Sequence, residues 1–297
     1  MYETILIPVD GSEHAIRAAE HGSRLAGAFD ADLHLLNVAD VQSAGGLFNA
    51  GGVDGEFVRR IEEEGRNVLE AAADAIEGRY DAEISTAVVR GEPSETILEH
   101  AEEVGADLLA MGTHGRTGVN RYIAGSVTER VVRLSETPVL TTRATVESDP
   151  ERGYDDVLVP TDGSEAAEVA VEHGLAIAER TGARVHAVSV VSVRGLETNP
   201  EYTRIAELRE HLTGNAKEAV DDILARAEER GIDAVGSVPN GSPGSILLEY
   251  VDEHDVDLVA MGTHGRTGLD RYLIGSTAER LIRRCAVPVV AVNAGRQ

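Results

Sequence analysis

Two glycine-rich loops carry the residues whose types and spacing best suit chemistry in this chain. One is Met111–Arg130 (MGTHGRTGVNRYIAGSVTER) and the other is Met261–Arg280 (MGTHGRTGLDRYLIGSTAER), and 14 of their 20 positions are identical. Glycines let backbone N–H groups approach an anion closely, and the start of a following helix adds free donors and partial positive charge. A polar loop repeated almost letter for letter therefore predicts a site for phosphate groups.

Local charge in the loops agrees with an anionic ligand. Arg116 and Arg121 in the first loop and Arg266 in the second supply positive charge in a chain whose net charge is -25. The alternative is a glycine-rich turn without a ligand, in which Ser126 only caps a helix. Since two nearly identical loops are present, we favour the ligand site.

Other phosphate-binding and catalytic patterns do not match. A P-loop requires a lysine after its glycines, but the lone Lys217 lies inside a predicted helix. A dinucleotide fold requires Gly-x-Gly-x-x-Gly after the first strand, where this chain has Asp10–Glu13. His114 and His264 lack a second His or a Cys at ligand spacing. We therefore assign no catalytic residue and no metal ligand.

The repeat extends beyond the loops and predicts two tandem domains. Tyr2–Glu13 is echoed by Tyr154–Glu165, and Arg90–Ser94 is echoed by Asn240–Gly244. Each copy is long enough for a domain with its own core. The predicted boundaries are 1–144 for the first domain, 145–153 for a polar linker and 154–297 for the second domain.

Strand and helix patterns alternate in each copy. Nearly continuous aliphatic runs, typical of strands buried on both faces, lie in the first copy at 4–9, 32–38, 83–89, 107–111 and 138–142. Amphipathic stretches predict helices at 12–26, 56–77, 93–103 and from about 125 onward. This order predicts an α/β fold in which each domain is a doubly wound, five-stranded parallel sheet flanked by helices. Ligands of such sheets bind outside the carboxyl ends of the strands.

The composition limits the partners. With 52 acidic against 27 basic residues, the surface would repel nucleic acid and anionic membranes, so neither is expected as a partner. The composition, with many acidic residues, Arg in place of Lys and few aromatic residues, resembles that of cytoplasmic proteins of extreme halophiles. The alternative is an ordinary acidic bacterial protein. Neither a leader nor an apolar stretch long enough for a bilayer is recognised, which predicts a cytoplasmic location.

Two further interpretations concern single side chains. Cys285 stands between Ile282 and Val287 and is predicted to be a small buried residue rather than a redox group. His14 and His21 are seven residues apart and are predicted to lie on a solvated helix face.

Taken together, these residues resemble the universal stress protein (UspA) family. The pattern Gly112-x-x-Gly115, nine residues, then Gly125-Ser126 is similar to the nucleotide-binding signature of that family. It recurs in the second copy at Gly262, Gly265, Gly275 and Ser276. The strand endings Pro-Val-Asp-Gly-Ser and Pro-Thr-Asp-Gly-Ser are also similar to the family. The resemblance covers both halves of the chain outside the linker and residues 45–55.

The resemblance implies an adenine nucleotide alpha hydrolase-like (UspA) fold that binds ATP or another adenine nucleotide, with Mg²⁺ held mainly by the phosphates. It also implies weak or no hydrolysis, and pairing of domains through their last strands as an intramolecular pseudo-dimer or a homodimer of chains. The implied nucleotide contacts in the first copy are Pro8, Val9, Asp10, Val38, Met111, Gly112, Gly115, Arg116, Gly125, Ser126 and Val127. Those in the second are Pro160, Thr161, Asp162, Val190, Met261, Gly262, Gly265, Arg266, Gly275, Ser276 and Thr277.

Within the first set, Asp10 and Val38 would contact ribose and adenine, and Met111 and Gly112 would line the nucleotide. Gly115, Gly125 and Ser126 would hold the phosphates, and the corresponding residues would take these roles in the second copy. The change from Val127 to Thr277 would make the two phosphate environments unequal. Because a β-carbon at Gly125 or Gly275 would meet the phosphates, replacing both with Val is expected to abolish ATP binding and to leave the melting temperature nearly unchanged.

The sequence therefore predicts an ATP-binding regulatory module of the stress response. Two alternatives stay open: a slow ATPase or nucleotidyl-transferring enzyme on the same fold, and a dimerisation scaffold that binds no nucleotide. Turnover with Mg²⁺ and ATP distinguishes the first alternative, and the presence of nucleotide on the purified protein distinguishes the second.

Overall fold

The aliphatic runs and amphipathic stretches form the strands and helices of two separate units. The structure is a computed structural model and describes residues 1–41, 55–78, 84–115, 125–145, 148–192, 202–265 and 274–293. The chain divides into Met1–Pro150 and Glu151–Gln297. This division falls inside the stretch 145–153 that the sequence predicts as the linker.

The first unit has the predicted alternation of strands and helices. Its elements are β1 Thr4–Pro8, α1 Glu13–Phe29, β2 Asp32–Ala39, α2 Gly55–Ile76, β3 Ile84–Arg90, α3 Pro93–Val104, β4 Leu108–Gly112, α4 Ser126–Leu134 and β5 Val139–Thr142. The strand order is β3-β2-β1-β4-β5 and the pairs are parallel. Ile5, Leu6 and Ile7 of the central strand β1 are fully buried. The predicted doubly wound five-stranded sheet is confirmed.

The second unit repeats this architecture after a short 3₁₀ turn at Pro150–Arg152. Its elements are β6 Asp156–Pro160, α5 Glu165–Thr181, β7 Arg184–Val188, α6 Tyr202–Glu229, β8 Ala234–Ser237, α7 Pro243–Glu253, β9 Leu258–Gly262, α8 Ser276–Arg284 and β10 Val289–Val292. Its strand order is β10-β9-β6-β7-β8. Pairing of the two final strands, β5 and β10, stays a prediction.

The Asp-Gly-Ser turn after the first strand of each unit fixes where the next helix begins. The Ser12 hydroxyl accepts the Ala15 N–H at 3.2 Å and so caps α1, while the Asp10 carboxylate accepts the Ser12 N–H at 3.0 Å. Ser164 and Asp162 make the same two bonds at the start of α5. These caps satisfy backbone donors that the helix leaves open. They therefore hold each aspartate at the carboxyl edge of its sheet.

The outermost strands differ from the prediction that every strand is buried on both faces. Ser85 and Thr86 of β3 are exposed, and Val235 of β8 is 39% exposed. Strands β3 and β8 are edge strands of their units. Periodicity alone does not reveal this, because an edge strand of an α/β sheet can be as rich in β-branched residues as a central one.

The histidine at position 21 is buried, so the prediction that it lies on a solvated helix face is wrong. Its side chain is 2% exposed, and its Nε2 lies 2.9 Å from the Ser148 hydroxyl. Burial, followed by the nearby positive charge of Arg17, lowers the pKa of His21 to about 3. Ser148 comes from the segment predicted as a polar linker. Part of that segment therefore packs against α1.

Cys285 is 1% exposed, which confirms that it is buried. Within the described parts of the chain, we find no helix with the length and apolar character needed to cross a bilayer.

Surface charge leads to a prediction about salt. Arg226 contacts three carboxylates, those of Glu168, Glu172 and Asp222, yet acids outnumber bases by 52 to 27 over the chain. Exposed ion pairs contribute only about 0–1 kcal/mol each. Added salt should therefore weaken the repulsion among the excess carboxylates by more than it weakens the attraction within the ion pairs. We expect the thermal unfolding midpoint to rise as KCl increases from 10 mM to 1 M, by about 2–4 °C for each kcal/mol of repulsion relieved.

Circular dichroism melts over this KCl series would measure the effect. Screening should act mainly at the low end of the series, because the Debye length is already about 10 Å at 0.1 M salt. Equal midpoints throughout would contradict the comparison with halophile proteins.

Candidate functional site

The carboxyl edge of the second sheet encloses a cavity of about 290 Å³. It lies among the ends of β6, β7 and β9 and the first turns of α7 and α8. All the predicted contact residues of the second copy that the structure describes line this cavity. They are Pro160, Thr161, Asp162, Val190, Met261, Gly262, Gly265, Gly275, Ser276 and Thr277. Arg116, Arg121 and Arg266 lie outside the described residues.

Several lining residues were not identified from the sequence. They are Ala167, Val188, Pro243, Leu247, Thr263, His264 and Ala278. Pro243 and Leu247 belong to α7, which begins within the repeated segment Asn240–Gly244. The repetition of this segment in both copies could have indicated that it belongs to the site. It carried no recognisable phosphate chemistry and so was not assigned to the site.

The first unit places its predicted residues at the same points of its own sheet. Pro8 ends β1, Val38 lies near the end of β2, and Met111 and Gly112 end β4. The Val9 N–H donates to Leu36 O at 2.8 Å, and the Asn37 amide donates to Val9 O at 2.8 Å. These bonds fix the backbone after β1 against β2. The backbone that leads from β1 to Asp10 therefore has a fixed position relative to β2.

Each aspartate is in close contact with the glycine loop of its own unit. A β-carbon at Gly115 would lie 2.6 Å from Asp10 Oδ2, and one at Gly265 would lie 2.6 Å from Asp162 Oδ2. A side chain at either position would require the carboxylate to move. The Ser12 hydroxyl also donates to His114 O at 3.3 Å, a bond that the second copy repeats. The strand-end turn and the glycine loop therefore form one assembly, with a carboxylate that can accept hydrogen bonds from hydroxyl groups.

Gly112 and Gly262 are required by helix packing. A β-carbon at Gly112 would lie 2.5 Å from the backbone carbonyl carbon of His14. At Gly262 it would lie 2.7 Å from the carbonyl carbon of Ala166 and 2.8 Å from Ala167 N. These atoms belong to the first turns of α1 and α5, which rest directly on the ends of β4 and β9. The sequence predicts both glycines as nucleotide contacts, and the structure adds this separate reason for their identity.

The first turns of α4 and α8 present backbone donors. Gly125 is the N-cap of α4, and the first bond within the helix joins Glu129 N–H to Gly125 O at 3.0 Å. The N–H groups of residues 126–128 thus have no partner within the helix, and the same holds for 276–278 in α8. Neither helix has a side-chain cap, so Ser126 does not cap α4 as the alternative reading assumed, while a glycine-rich turn without a ligand stays open as an alternative. Both Ser126 and Ser276 are exposed.

The glycines before these helices are partly engaged by their own loops. The Gly125 N–H donates to Thr113 O at 2.6 Å, and the Gly275 N–H donates to Thr263 O at 2.8 Å. A β-carbon would lie 3.3 Å from Thr113 O at Gly125 and 3.1 Å from Thr263 O at Gly275. Val at these positions would therefore strain the loops even without a ligand. These contacts weigh against an unchanged melting temperature in the double Val variant, which stays a prediction.

The histidines of the loops make local contacts. His114 Nδ1 lies 3.0 Å from Thr113 Oγ1, and the equivalent pair in the second copy is 2.8 Å apart. His14 packs against His114 with ring centroids 5.0 Å apart. Burial, followed by the charge of His114 and Arg143, lowers the pKa of His14. In the described ranges, no group of three or more His, Cys, Asp or Glu side chains is placed to hold a metal ion.

Two tandem α/β domains, each with an Asp-Gly-Ser turn against a glycine loop and a helix start, define the class of this protein. The sequence pattern of the universal stress protein family matches residues 1–143 and 153–293. The chain belongs to the universal stress protein family, which confirms the resemblance inferred from its glycines.

Individual relatives agree with this assignment. A universal stress protein of Mycolicibacterium smegmatis is 26% identical over 303 residues, which cover 97% of this chain and 96% of that protein. Universal stress protein MJ0531 of Methanocaldococcus jannaschii is 38% identical over 141 residues, 47% of this chain and 81% of its own length. The crystal structure of a universal stress protein from Archaeoglobus fulgidus shares the fold, with a TM-score of 0.69 and 24% identity over 98% of this chain and 96% of that one.

Proposed function

We propose that the chain binds ATP or another adenine nucleotide at the carboxyl edges of its sheets and acts as a regulatory nucleotide-binding module of the stress response. One observation carries the proposal. The cavity of the second unit brings a helix start with open donors, an aspartate and an apolar wall together within about 290 Å³.

The phosphate end of the ligand would lie at the start of α8. The N–H groups of Ser276, Thr277 and Ala278 are open there, and the positive end of the helix dipole favours an anion. The exposed Ser276 hydroxyl adds one more donor. The first unit offers the same arrangement at Ser126 and Val127. The phosphates of bound ATP would supply most of the ligands to Mg²⁺.

The nucleoside end would lie nearer β6 and β7. Val190, Leu247 and Met261 give that part of the cavity apolar walls suited to a flat base. The Asp162 carboxylate lines the cavity and accepts the Ser164 N–H at 3.0 Å, and a carboxylate is a suitable acceptor for ribose hydroxyls. The cavity volume is near the lower end of the range for small-molecule sites, about 300–1,000 Å³.

The proposal gives no residue a catalytic role and includes at most weak hydrolysis. On the basis of the net charge of -25 we also propose neither a nucleic-acid nor a membrane partner. A cytoplasmic location is proposed from the resemblance of the composition to cytoplasmic proteins of extreme halophiles. For assembly, we propose that β5 and β10 pair, either within one chain or between two chains, because unpaired strand edges are otherwise open to association.

Mass spectrometry of the ligand released from purified protein, followed by calorimetry with ATP and Mg²⁺, tests the proposal. We expect an adenine nucleotide on the protein and close to two sites per chain. Replacing both exposed serines, Ser126→Ala with Ser276→Ala, should weaken binding by roughly 1.5–3 kcal/mol, as for one hydrogen bond to a charged group. Protein that carries no nucleotide and gives no heat with ATP would favour the scaffold alternative, and rapid turnover would favour the enzyme.

A further inference from the structure

We propose that the two nucleotide sites are unequal, and that Thr161 and Thr277 make the second site the tighter one. This inference rests on the proposed function. It starts from the residues that line the second cavity and their counterparts in the first copy. Prolines 8 and 160, aspartates 10 and 162 and serines 126 and 276 are the same in both copies, whereas the two threonines stand where the first copy has Val9 and Val127.

Thr161 supplies a hydroxyl at the end of the first strand of the second unit. Its backbone takes the same path as that of Val9, because the N–H of each donates to the neighbouring strand, at 2.9 Å for Thr161 and 2.8 Å for Val9. The Thr161 hydroxyl accepts the Gly163 N–H at 3.0 Å and keeps its own hydrogen for a ligand. Val9 offers only a methyl group at this point.

Thr277 supplies a second hydroxyl at the phosphate end. It is the second residue of α8 and lies beside the open N–H groups of the first turn. Its side chain is partly exposed and lines the cavity. A hydroxyl that donates to a phosphate oxygen makes a charge-assisted hydrogen bond, which is stronger than a neutral one. Val127 cannot make this bond.

A third difference removes the side-chain donor to a backbone carbonyl in the second site. In the first unit, the Thr128 hydroxyl donates to Gly112 O at 2.7 Å. The equivalent residue in the second unit is Ala278, which lines the cavity and has no hydroxyl to donate to Gly262 O. That carbonyl can therefore accept from a hydroxyl of the ligand. All three differences add polar contacts in the second site, so they act in the same direction.

Calorimetric titration of the full-length chain with ATP and Mg²⁺ tests the inference. We expect two classes of site whose dissociation constants differ by about tenfold or more. Thr161→Val with Thr277→Val should remove the tight class and leave two similar weak sites. Thr277→Val alone should produce most of this loss. Because the Thr277 side chain makes no hydrogen bond within the described structure, that variant separates ligand contacts from any effect on the turn at Gly163.

The reciprocal variant, Val9→Thr with Val127→Thr, should strengthen the weak class without changing the tight one. Two equal sites in the wild type, or a tight class that persists in the double Val variant, would overturn the inference and leave the proposed function intact. No binding of ATP by the folded wild type would overturn the proposed function together with this inference.

Discussion

Ser126→Glu combined with Ser276→Glu is expected to reduce ATP affinity by at least about 100-fold, because placing like charges together at a binding site costs several kcal/mol. Each new carboxylate would stand at the first residue of α4 or α8, where the phosphates are proposed to bind. The fold should not suffer, since both serines are exposed and neither caps its helix. An acidic side chain at a helix start instead stabilises the protein by about 0.3–1 kcal/mol.

The matched control is Ser126→Gln with Ser276→Gln, which has the same side-chain length without the charge. Calorimetry with ATP and urea unfolding without ligand would be measured on both pairs. The Gln pair, which also lacks the serine hydroxyls, should bind about as weakly as the Ser→Ala pair, and the Glu pair should bind much more weakly than the Gln pair at equal or higher stability. Undiminished binding by the Glu pair would show that the phosphates are held elsewhere.

Gly262→Ala is expected to lower the free energy of unfolding by about 3 kcal/mol, the upper part of the range for overpacking a filled core. The added carbon would lie within 2.8 Å of three backbone atoms of α5, and backbone cannot rotate away as a flexible side chain can. The whole helix would have to move. Gly112→Ala should behave alike in the first unit, where the closest atom is 2.5 Å away.

Gly214→Ala is the control for this prediction. Gly214 lies inside α6, and a β-carbon there meets no atom within 4 Å. Alanine should therefore stabilise the helix by about 0.5–1 kcal/mol. Urea unfolding of the ligand-free variants gives both values. A loss of stability below about 1 kcal/mol in Gly262→Ala would mean that the helix and strand separate easily.

Much of the fold follows from the sequence because local patterns specify it. Aliphatic runs and helical spacing predict the strands and helices of the first unit to within a few residues, and Ser12 marks the start of α1 through its capping chemistry. Patterns of this kind do not show which distant residues pack against a given face of a helix. His21 was therefore misjudged, since Ser148, which contacts its imidazole, is 127 positions away.

The site was predictable to the extent that its chemistry is local. The Gly-Ser pairs before α4 and α8 predict helix starts open to an anion, and the structure places both there. Leu247 was not predictable in this way, because an apolar helix residue reads as core whether it packs on the sheet or lines a crevice. Nor can a sequence show whether a glycine makes room for a ligand or for the protein's own backbone.

The packing of α1 and α5 on the strand ends changes what the first glycine of the repeated pattern can tell us. Gly112 and Gly262 make room for a helix, and that need persists whether or not a ligand is ever bound. A descendant of this chain that had lost its nucleotide would still lose stability by replacing either glycine. When such a descendant is classified by motif, this glycine therefore indicates ancestry, and evidence for retained binding has to come from the exposed serine and the open helix start.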